Sequence, residues 1–437
     1  MLFARERRER SARDLEGRAG MAIEARADDV EAGDSGGASW GAFFSYGFRP
    51  FFLGAAVWAA LAMALWLAWI AIHAAGGALT WMTISDAPHV WHAHEMVYGF
   101  AAAAVAGFLL TAVPNWTGAL PFSGRPLEAL FALWLAGRMA MTVSGLLPYL
   151  LVAAADIAFL PVLGGFAARQ LMVKPQRKNM VFLAMIAVMA VANVAYHLIA
   201  AGLVAADPLA PVRVALLTLV MMVVVIGGRI VPSFTHNWLH LQAVPGPVPR
   251  RNARLDLLSV ASVAGLVLAS VPPLADVWLG VVALVAGLAN AARLAGWRGL
   301  ATWQSPIVLV LHVGYAWIVV GLLLLAAAKL GGPISTASAM HALGTGGVGT
   351  MILAVMSRAS LGHTGRPLVV HRTIAWAYGL VSLAALLRAF GPPLFPEAYN
   401  ALMLGAGIAW LAAFAAFALV YLPALTSPRV HQRKMGA

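Results

Sequence analysis

Long apolar runs constrain this chain more than any other feature. A helix needs roughly 20 mainly apolar residues to cross the hydrocarbon core of a bilayer, and runs near that length recur from residue 51 to residue 423. Only 11% of the 437 residues are charged and 62% are hydrophobic, whereas about a quarter of a soluble domain is charged. The sequence therefore predicts an all-α, polytopic membrane protein embedded in a lipid bilayer.

Twelve spans emerge when Pro, Gly and charge clusters are taken as boundaries. They cover 51–73, 92–113, 127–145, 149–170, 179–202, 212–232, 255–271, 276–296, 306–328, 337–357, 373–390 and 398–423. Lys and Arg concentrate at the two ends and in every second loop, and the opposite loops hold only Arg213, Lys329 and Arg388. Because cytoplasmic loops are enriched in these residues, both termini are predicted to be cytoplasmic.

Three regions follow from this pattern. Residues 1–43 mix arginines with acidic residues and contain no apolar run, so we expect a disordered cytoplasmic arm. Residues 44–425 form the predicted transmembrane domain, and 426–437 form a short basic cytoplasmic tail. The net charge of +12 could indicate nucleic-acid binding, but the basic residues line loop ends and form no separate basic domain, which argues against it.

A weak internal repeat links the second, sixth and tenth spans. Their ends carry related segments, 112–117 (AVPNWT), 230–235 (IVPSFT) and 354–359 (AVMSRA), which we interpret as turns. Recurrence at every fourth helix favours three four-helix units. Such an arrangement would enclose a central pore or cofactor space.

Histidines are the first candidates for chemistry, because the chain has 12 of them and no cysteine. Side-chain metal ligation is then left to His, Met and carboxylates. The topology places His92, His94, His197 and His341 at one depth near the periplasmic face. On a helix His92 shares a face with Met96, whereas His94 points about 200° away. Either the helix starts irregularly at His92, or the two histidines have different roles, such as metal ligand and hydrogen-bond partner.

A second group lies toward the predicted cytoplasmic side. His312 lies inside an apolar span and needs a partner, whereas His236, His240, His363 and His371 are placed in loops, where solvation is the simpler explanation. Arg229 and Arg358 close two of the related segments and are candidates for binding an anionic group through the guanidinium; ordinary cytoplasmic-side arginines are the alternative. Arg138 and Asp156, on either side of a short turn, are predicted to form a structural ion pair.

Four sequence blocks together resemble the NnrS family. They are 44–52 (FSYGFRPFF), 91–96 (WHAHEM), 227–235 (GGRIVPSFT) and 357–366 (SRASLGHTGR), and the resemblance runs in order from Phe44 to about Leu425. It implies a bacterial inner-membrane protein that contains haem b and copper and is associated with denitrification and with protection against nitric oxide. The positions that match the family blocks are His92, His94, Glu95, Arg229, Arg358 and His363.

The resemblance leaves the reaction and the electron donor open. We expect the cofactors to be bound by His92, His94, His341, His197 and His312 with Arg229 and Arg358, and a metal to be bound within the set His92, His94, His341, Met96 and His363. Nitric oxide or a related small molecule is the expected partner. A transporter of a small ion or metal that uses the buried histidines is the alternative. A quinol-linked cytochrome would share the haem colour but respond to quinol. The glycine-rich stretch 344–349 lacks the context of a nucleotide-binding loop and indicates close approach by a helix or a porphyrin.

Overall fold

The computed structural model describes residues 37–77, 83–173, 175–271 and 274–430, and within these ranges the chain is helical and contains no strand. Residues 1–36 of the predicted arm and 431–437 of the predicted tail lie outside the described residues. A short helix, Trp40–Phe43, precedes the bundle; Ser39 caps it by accepting a hydrogen bond from the backbone N–H of Ala42.

Each predicted span coincides with a helix. In chain order these are α1 Phe48–Ala74, α2 Pro88–Thr117, α3 Arg125–Thr142, α4 Tyr149–Leu171, α5 Arg177–Ala200, α6 Leu209–Leu241, α7 Ala253–Ala269, α8 Asp276–Ala295, α9 Pro306–Lys329, α10 Thr336–His363, α11 Arg372–Leu394 and α12 Tyr399–Thr426.

Ten of these helices are long and apolar enough to cross a membrane. The other two are α3, whose 18 residues include Arg125, Glu128 and Arg138, and α7, which has 17 residues. The all-helical, multi-pass membrane fold is thereby confirmed. The count of twelve spans and the cytoplasmic position of both termini stay predictions.

The related segments of the second, sixth and tenth helices are not all turns, which corrects the sequence interpretation. Segment 112–117 does end α2, and Gly118 follows in the left-handed conformation with φ of 73°. Segments 230–235 and 354–359 instead lie inside α6 and α10. The proline at 232 removes only one backbone hydrogen bond. Val231, Pro232 and Thr235 are buried, and their packing keeps the helix continuous through this segment.

This continuation also relocates several residues that were predicted in loops. His236 and His240 lie in the last turns of α6, and His363 is the last residue of α10. Arg388 was counted with a loop, but it lies inside α11, as the predicted span 373–390 also implies. This helix runs on through Pro392 and Pro393 to Leu394.

Helices α2 and α10 share an irregularity near their N-terminal ends. In α2 a π-helical segment, Glu95–Ala101, begins directly after His94; in α10 the segment Ala342–Gly349 begins directly after His341. A π-turn inserts one extra residue and rotates the side chains that follow, and such turns are frequent at functional sites. Each histidine therefore stands where the helical register changes.

Two further features position the helices around the core. Helix α4 breaks at Ala158, where Pro161 cannot donate to the carbonyl of Ile157. At the chain ends, buried Arg49 of α1 donates to the carbonyls of Leu425 (3.1 Å) and Ser427 (2.6 Å) at the end of α12. These hydrogen bonds join the first helix of the bundle, α1, to the last, α12.

Candidate metal and cofactor sites

A polar cluster is buried among four consecutive helices, α2 to α5. The π-segment of α2 starts at this cluster, and both His94 and Glu95 are buried there. The cluster is almost completely shielded, since none of its side chains is more than 3% exposed. Its members are His94, Glu95, Arg138, Asp156, Asn193 and His197, which we call the acid–histidine cluster.

Arg138 connects the two carboxylates of the cluster. Its Nη1 donates to Glu95 Oε1 at 2.6 Å and its Nη2 donates to Asp156 Oδ1. Trp58 of α1 donates to the other oxygen of Glu95 at 2.7 Å. The predicted ion pair of Arg138 and Asp156 is confirmed, but it is part of a larger network than an isolated structural pair.

The ring of His94 lies between oxygen acceptors on both sides. Its Nδ1 is 3.1 Å from Glu95 Oε1, and its Nε2 is 3.0 Å from Asn193 Oδ1 and 3.3 Å from Asp156 Oδ2. The amide of Asn193 is oriented by donating through Nδ2 to Asp156 at 2.7 Å. Each ring nitrogen of His94 thus faces an oxygen atom, and these contacts fix the orientation of the ring.

His197 completes the cluster from α5. Its Nε2 lies 2.9 Å from Asp156 Oδ2, and its Nδ1 lies 3.0 Å from the hydroxyl of Tyr149. Because a carboxylate only accepts, His197 donates from Nε2 and accepts the tyrosine proton at Nδ1. Tyr149 therefore fixes the ring orientation and the tautomer of His197.

The charges of the cluster favour a cation. Glu95 and Asp156 carry two negative charges, Arg138 supplies one positive charge, and the remaining negative charge needs either a proton on His94 or a metal ion. Within the part of the chain that the structure describes, His94, Asp156 and His197 form one group of potential ligands, whose ligand atoms all lie within 4.8 Å of one another. Two imidazoles and a carboxylate suit copper, zinc or iron.

His92 points away from this cluster, as the spacing on a helix predicted. Its ring stacks on Trp66 of α1, with centroids 4.8 Å apart, and Trp66 stacks on Trp69 at 5.2 Å. Its Nδ1 is buried and has no hydrogen-bond partner among the described residues. His92 and His94 therefore face different surroundings although one residue separates them.

His341 lies in the first turns of α10, which pack against α9 and α11. Nδ1 of His341 lies 2.7 Å from the carbonyl oxygen of Ala337, so this nitrogen carries the proton and Nε2 keeps a free lone pair. Of the four histidines predicted to converge, His94 and His197 meet in the acid–histidine cluster, and His92 faces Trp66 instead.

The remaining predicted residues do not join either site. His312 donates from Nε2 to Thr235 at 2.8 Å, since the hydroxyl of Thr235 is already donating to Val231. Arg229 donates to Asn179 and to the carbonyl of Lys178. Arg358, His363 and Met96 also make contacts elsewhere. The guanidinium of Arg358 lies 3.8 Å from the ring centroid of Phe234, and the rings of His363 and Tyr46 stack with centroids 5.9 Å apart. Met96 packs against the hydrophobic core.

The glycine-rich stretch of α10 is occupied by neighbouring helices. A Cβ at Gly346 would meet the ring of Trp317, one at Gly347 would meet Ile318, and one at Gly349 would meet Trp410. Close approach by α9 and α12 therefore accounts for these glycines. They leave no flat face for a porphyrin at these three positions.

A cavity of about 70 Å³ lies where α2, α6 and α10 approach one another. Phe52 and Phe182 close it from α1 and α5, and its wall includes three thioethers, those of Met222, Met351 and Met356. All of its lining residues are apolar. A buried water needs two to four polar partners, so this central space suits small apolar molecules rather than water.

Sequence reasoning missed two residues of this site. Asn193 and Tyr149 orient the histidines of the acid–histidine cluster. Asn193 is one turn before His197 on the same face of α5, a spacing that could have indicated it. Tyr149 carries no comparable local signal.

Together these features define a class, a polytopic helical membrane protein with a histidine–carboxylate cluster buried among its helices. The particular family is given by sequence comparison: the family described as NnrS protein matches residues 42–429, and the chain belongs to that family. No curated protein matches the chain. The family resemblance that the four sequence blocks predicted is confirmed over nearly the whole length.

Proposed function

We propose that this chain is a haem- and copper-containing protein of the bacterial inner membrane that protects against nitric oxide and is associated with denitrification. Membership of the NnrS family supports this proposal. The observation that carries it is the buried set of His94, Asp156 and His197, with ligand atoms within 4.8 Å of one another. A buried set of this kind in an apolar bundle is a functional-site candidate.

The acid–histidine cluster fits a copper ion. His94, Asp156 and His197 would hold the ion, and it would supply a centre that accepts and passes on one electron. Trp58 and Arg138 hold Glu95 and Asp156 in place. Tyr149 orients His197 from behind, as partners of metal-ligating histidines commonly do.

His92 and His341 are the residues that would hold a haem iron. Both rings offer an unpaired nitrogen, Nδ1 of His92 and Nε2 of His341, and neutral imidazole is a common ligand of haem iron. When bound, the haem would supply an iron centre able to bind nitric oxide. Trp66 holds the ring plane of His92 by stacking, and the apolar cavity farther along α2 and α10 suits a small gas.

A transporter of a small ion is the alternative function. A cleft of about 540 Å³ opens between the ends of α6 to α10, and Arg213, Asp276 and Lys329 contribute to its wall. A charged vestibule of this size would suit an ion pathway that uses buried histidines as transient ligands. Colour separates the two functions, because a haem protein absorbs in the Soret region.

The test is an optical spectrum and a metal analysis of the full-length protein, purified in detergent from cells supplied with iron and copper. We expect a Soret band that shifts when nitric oxide is added to the reduced protein. His92→Ala or His341→Ala should weaken the band, whereas His94→Ala and His197→Ala should lower the copper content.

His240→Ala is the matched control, because His240 is exposed at the end of α6 and its removal should change neither signal. A colourless wild-type protein that also lacks copper would refute the proposal and favour the transporter. A Soret band that reddens or bleaches on addition of quinol alone would instead indicate a quinol-linked cytochrome.

A further inference from the structure

The acid–histidine cluster lies close to one end of its helices. His94 is the seventh residue of α2, Asp156 is the eighth residue of α4, and His197 lies three residues before the end of α5. At 1.5 Å per residue each lies within about 10 Å of that end, whereas α2 continues for about 35 Å in the other direction, to Thr117. The shortest route to the cluster therefore starts where α2 begins, which is the periplasmic side in the predicted topology.

A short segment directly before α2 crosses this end of the bundle. The backbone N–H of Gly145 donates to the carbonyl of Thr83 at 2.7 Å, and the backbone N–H of Ser85 donates to Oγ of Ser144 at 2.9 Å. Both contacts hold the segment against the connection between α3 and α4. The next residue of the segment is Asp86.

Asp86 is joined to the cluster through Tyr196 of α5. Oδ2 of Asp86 accepts a hydrogen bond from the hydroxyl of Tyr196 at 2.6 Å. The ring of Tyr196 is fully buried and lies against two histidines of the cluster, with centroids 4.4 Å from His94 and 5.2 Å from His197. One side chain thus separates this carboxylate from two potential metal ligands.

Asp86 differs from two other acids at the same end. Asp207 pairs with Arg213 at 2.6 Å, and Asp276 pairs with Lys329 at 2.8 Å. Asp86 is half-buried and forms no ion pair among the described residues. Within that part of the chain only its Oδ2 has a hydrogen-bond partner, so Oδ1 is available to a cation.

The charge of Asp86 adds to that of the cluster. Glu95 and Asp156 exceed Arg138 by one negative charge, so the short route is negative at both of its ends. A cation from the opposite end would have to pass the apolar interior of α2, where a charge is unfavourable. Surface carboxylates at the mouth of a site raise the association rate of cations.

We propose that Asp86 is the access site through which a transition-metal cation reaches the acid–histidine cluster. Carboxylate oxygen binds such an ion first, and the imidazole of His197 with the carboxylate of Asp156 then takes it over. The inference rests on the metal binding by the cluster that the proposed function contains. Asp86 acts on the passage of the ion and is not a ligand of the bound ion.

The test measures how fast the full-length protein, stripped of metal in detergent, takes up Cu²⁺, with quenching of tryptophan fluorescence in a stopped-flow instrument as the signal. Asp86→Asn removes the charge, but its amide oxygen still accepts the hydrogen bond from Tyr196. We expect the association rate to fall about tenfold at low ionic strength. The copper content at equilibrium should stay unchanged, because the final ligands are intact.

Three variants serve as controls. Asp86→Glu keeps the charge and should load at about the wild-type rate. Asp207→Asn removes an exposed acid at the same end and should also match the wild type. Tyr196→Phe removes the hydrogen bond that anchors Asp86 but keeps the carboxylate, so that it separates the effect of the charge from that of the anchored segment. Its rate should stay near that of the wild type.

Four results would overturn the access site. They are an unchanged rate in Asp86→Asn, equal slowing by Asp207→Asn, equal slowing by Tyr196→Phe, and faster release with a lower copper content, which would make Asp86 a ligand. Should Asp86→Asn not fold, Asp86→Ser decides in its place.

Failure of the proposed function is distinguishable from failure of the access site. Uptake that depends on Asp86 in a protein without a Soret band would leave the access site standing while the proposed function fails. A wild type that takes up neither Cu²⁺ nor Zn²⁺ would refute the access site, whether or not it contains haem.

Discussion

Asp156 is the residue on which the acid–histidine cluster depends most. One of its oxygens accepts from Arg138, and the other accepts from Asn193 at 2.7 Å and from His197 at 2.9 Å. It therefore compensates a buried cation and provides one of three potential metal ligands at the same time. Together with its contact to His94 at 3.3 Å, this carboxylate joins side chains of the four helices α2 to α5.

Replacing Asp156 with Asn should destabilise the protein and empty the metal site. The amide removes the charge that compensates Arg138 in a buried pair, which costs about 3 kcal/mol or more. It also removes an anionic ligand. We expect a lower free energy of unfolding in detergent and a lower copper content, measured by thermal unfolding and elemental analysis.

Asp276→Asn is the control for this variant. Asp276 pairs with Lys329 at 2.8 Å but is 66% exposed, and exposed pairs contribute about 0–1 kcal/mol. The control should unfold like the wild type and keep its copper. Equal effects of the two substitutions would contradict the central role of Asp156.

At the scale of the element, two glycines of the third sequence block leave space beside α6 for a buried polar network. A Cβ at Gly227 would meet the ring of Tyr315, and one at Gly228 would overlap the guanidinium of Arg293. Arg293 bonds to Asp256 at 2.6 Å, to the carbonyl of Val224 at 2.9 Å and to Tyr315 at 3.0 Å. Glycine at 228 thus lets α8 and α9 bind α6 through one arginine.

Gly228→Ala should lower the free energy of unfolding by about 1–3 kcal/mol, the usual cost of inserting an atom into a packed interior. Displacement of Arg293 from three acceptors places the expected value at the upper end. The measurement is thermal unfolding of the purified protein.

Gly265→Ala in α7 is the matched control, since the nearest atom to its Cβ would be 3.9 Å away in Val282. There alanine should stabilise the helix by up to about 1 kcal/mol. Stabilisation by both substitutions would show that Arg293 does not need the space at Gly228.

The π-segments are the other feature of elements that bears on function. Both follow a histidine of a candidate site, in α2 after His94 and in α10 after His341. Gly99 lies within the first of them, where a Cβ would meet Trp58 and Glu95. The irregular backbone and its glycine thereby leave room for the hydrogen bond between these two side chains.

At the scale of the whole molecule, α2, α6 and α10 surround the central cavity. These are the three helices that the weak repeat had linked. The cavity is small and apolar. The arrangement as three four-helix units, and the central pore or cofactor space that it would enclose, stay predictions.

The absence of cysteine allows a direct test of the predicted topology. A single cysteine at Leu203, between α5 and α6, should react in intact cells with a maleimide that cannot cross the inner membrane. A cysteine at Val248, between α6 and α7, should react only after the membrane is permeabilised. The two positions are comparably exposed, at 74% and 64%, so each controls for the reactivity of the other.

Labelling in the reverse pattern would place the termini on the opposite side. Labelling of both positions in intact cells would indicate that α6 does not cross the membrane. Either result would overturn the orientation that the distribution of Lys and Arg predicts.

The sequence by itself determined the class of fold, the approximate limits of the twelve helices and the family. Hydrophobic length is a local property, and each run of apolar residues specifies its own helix because a bilayer leaves backbone groups no other way to be satisfied. Local signals also placed the pair of Arg138 and Asp156, since one short turn separates their helices. The predicted boundary of α6 was wrong at His236, because burial of the helix outweighed the local proline at 232.

Only the tertiary structure decided how the polar residues are shared between sites. His94 joins His197 and Asp156, whereas His92 stacks on Trp66 of α1, and the contact of His94 with His197 links segments that are far apart in the chain. Packing determines which helix faces which neighbour, and no pattern within one helix contains that information. The charge of the acid–histidine cluster follows from it, because Arg138 meets two carboxylates there.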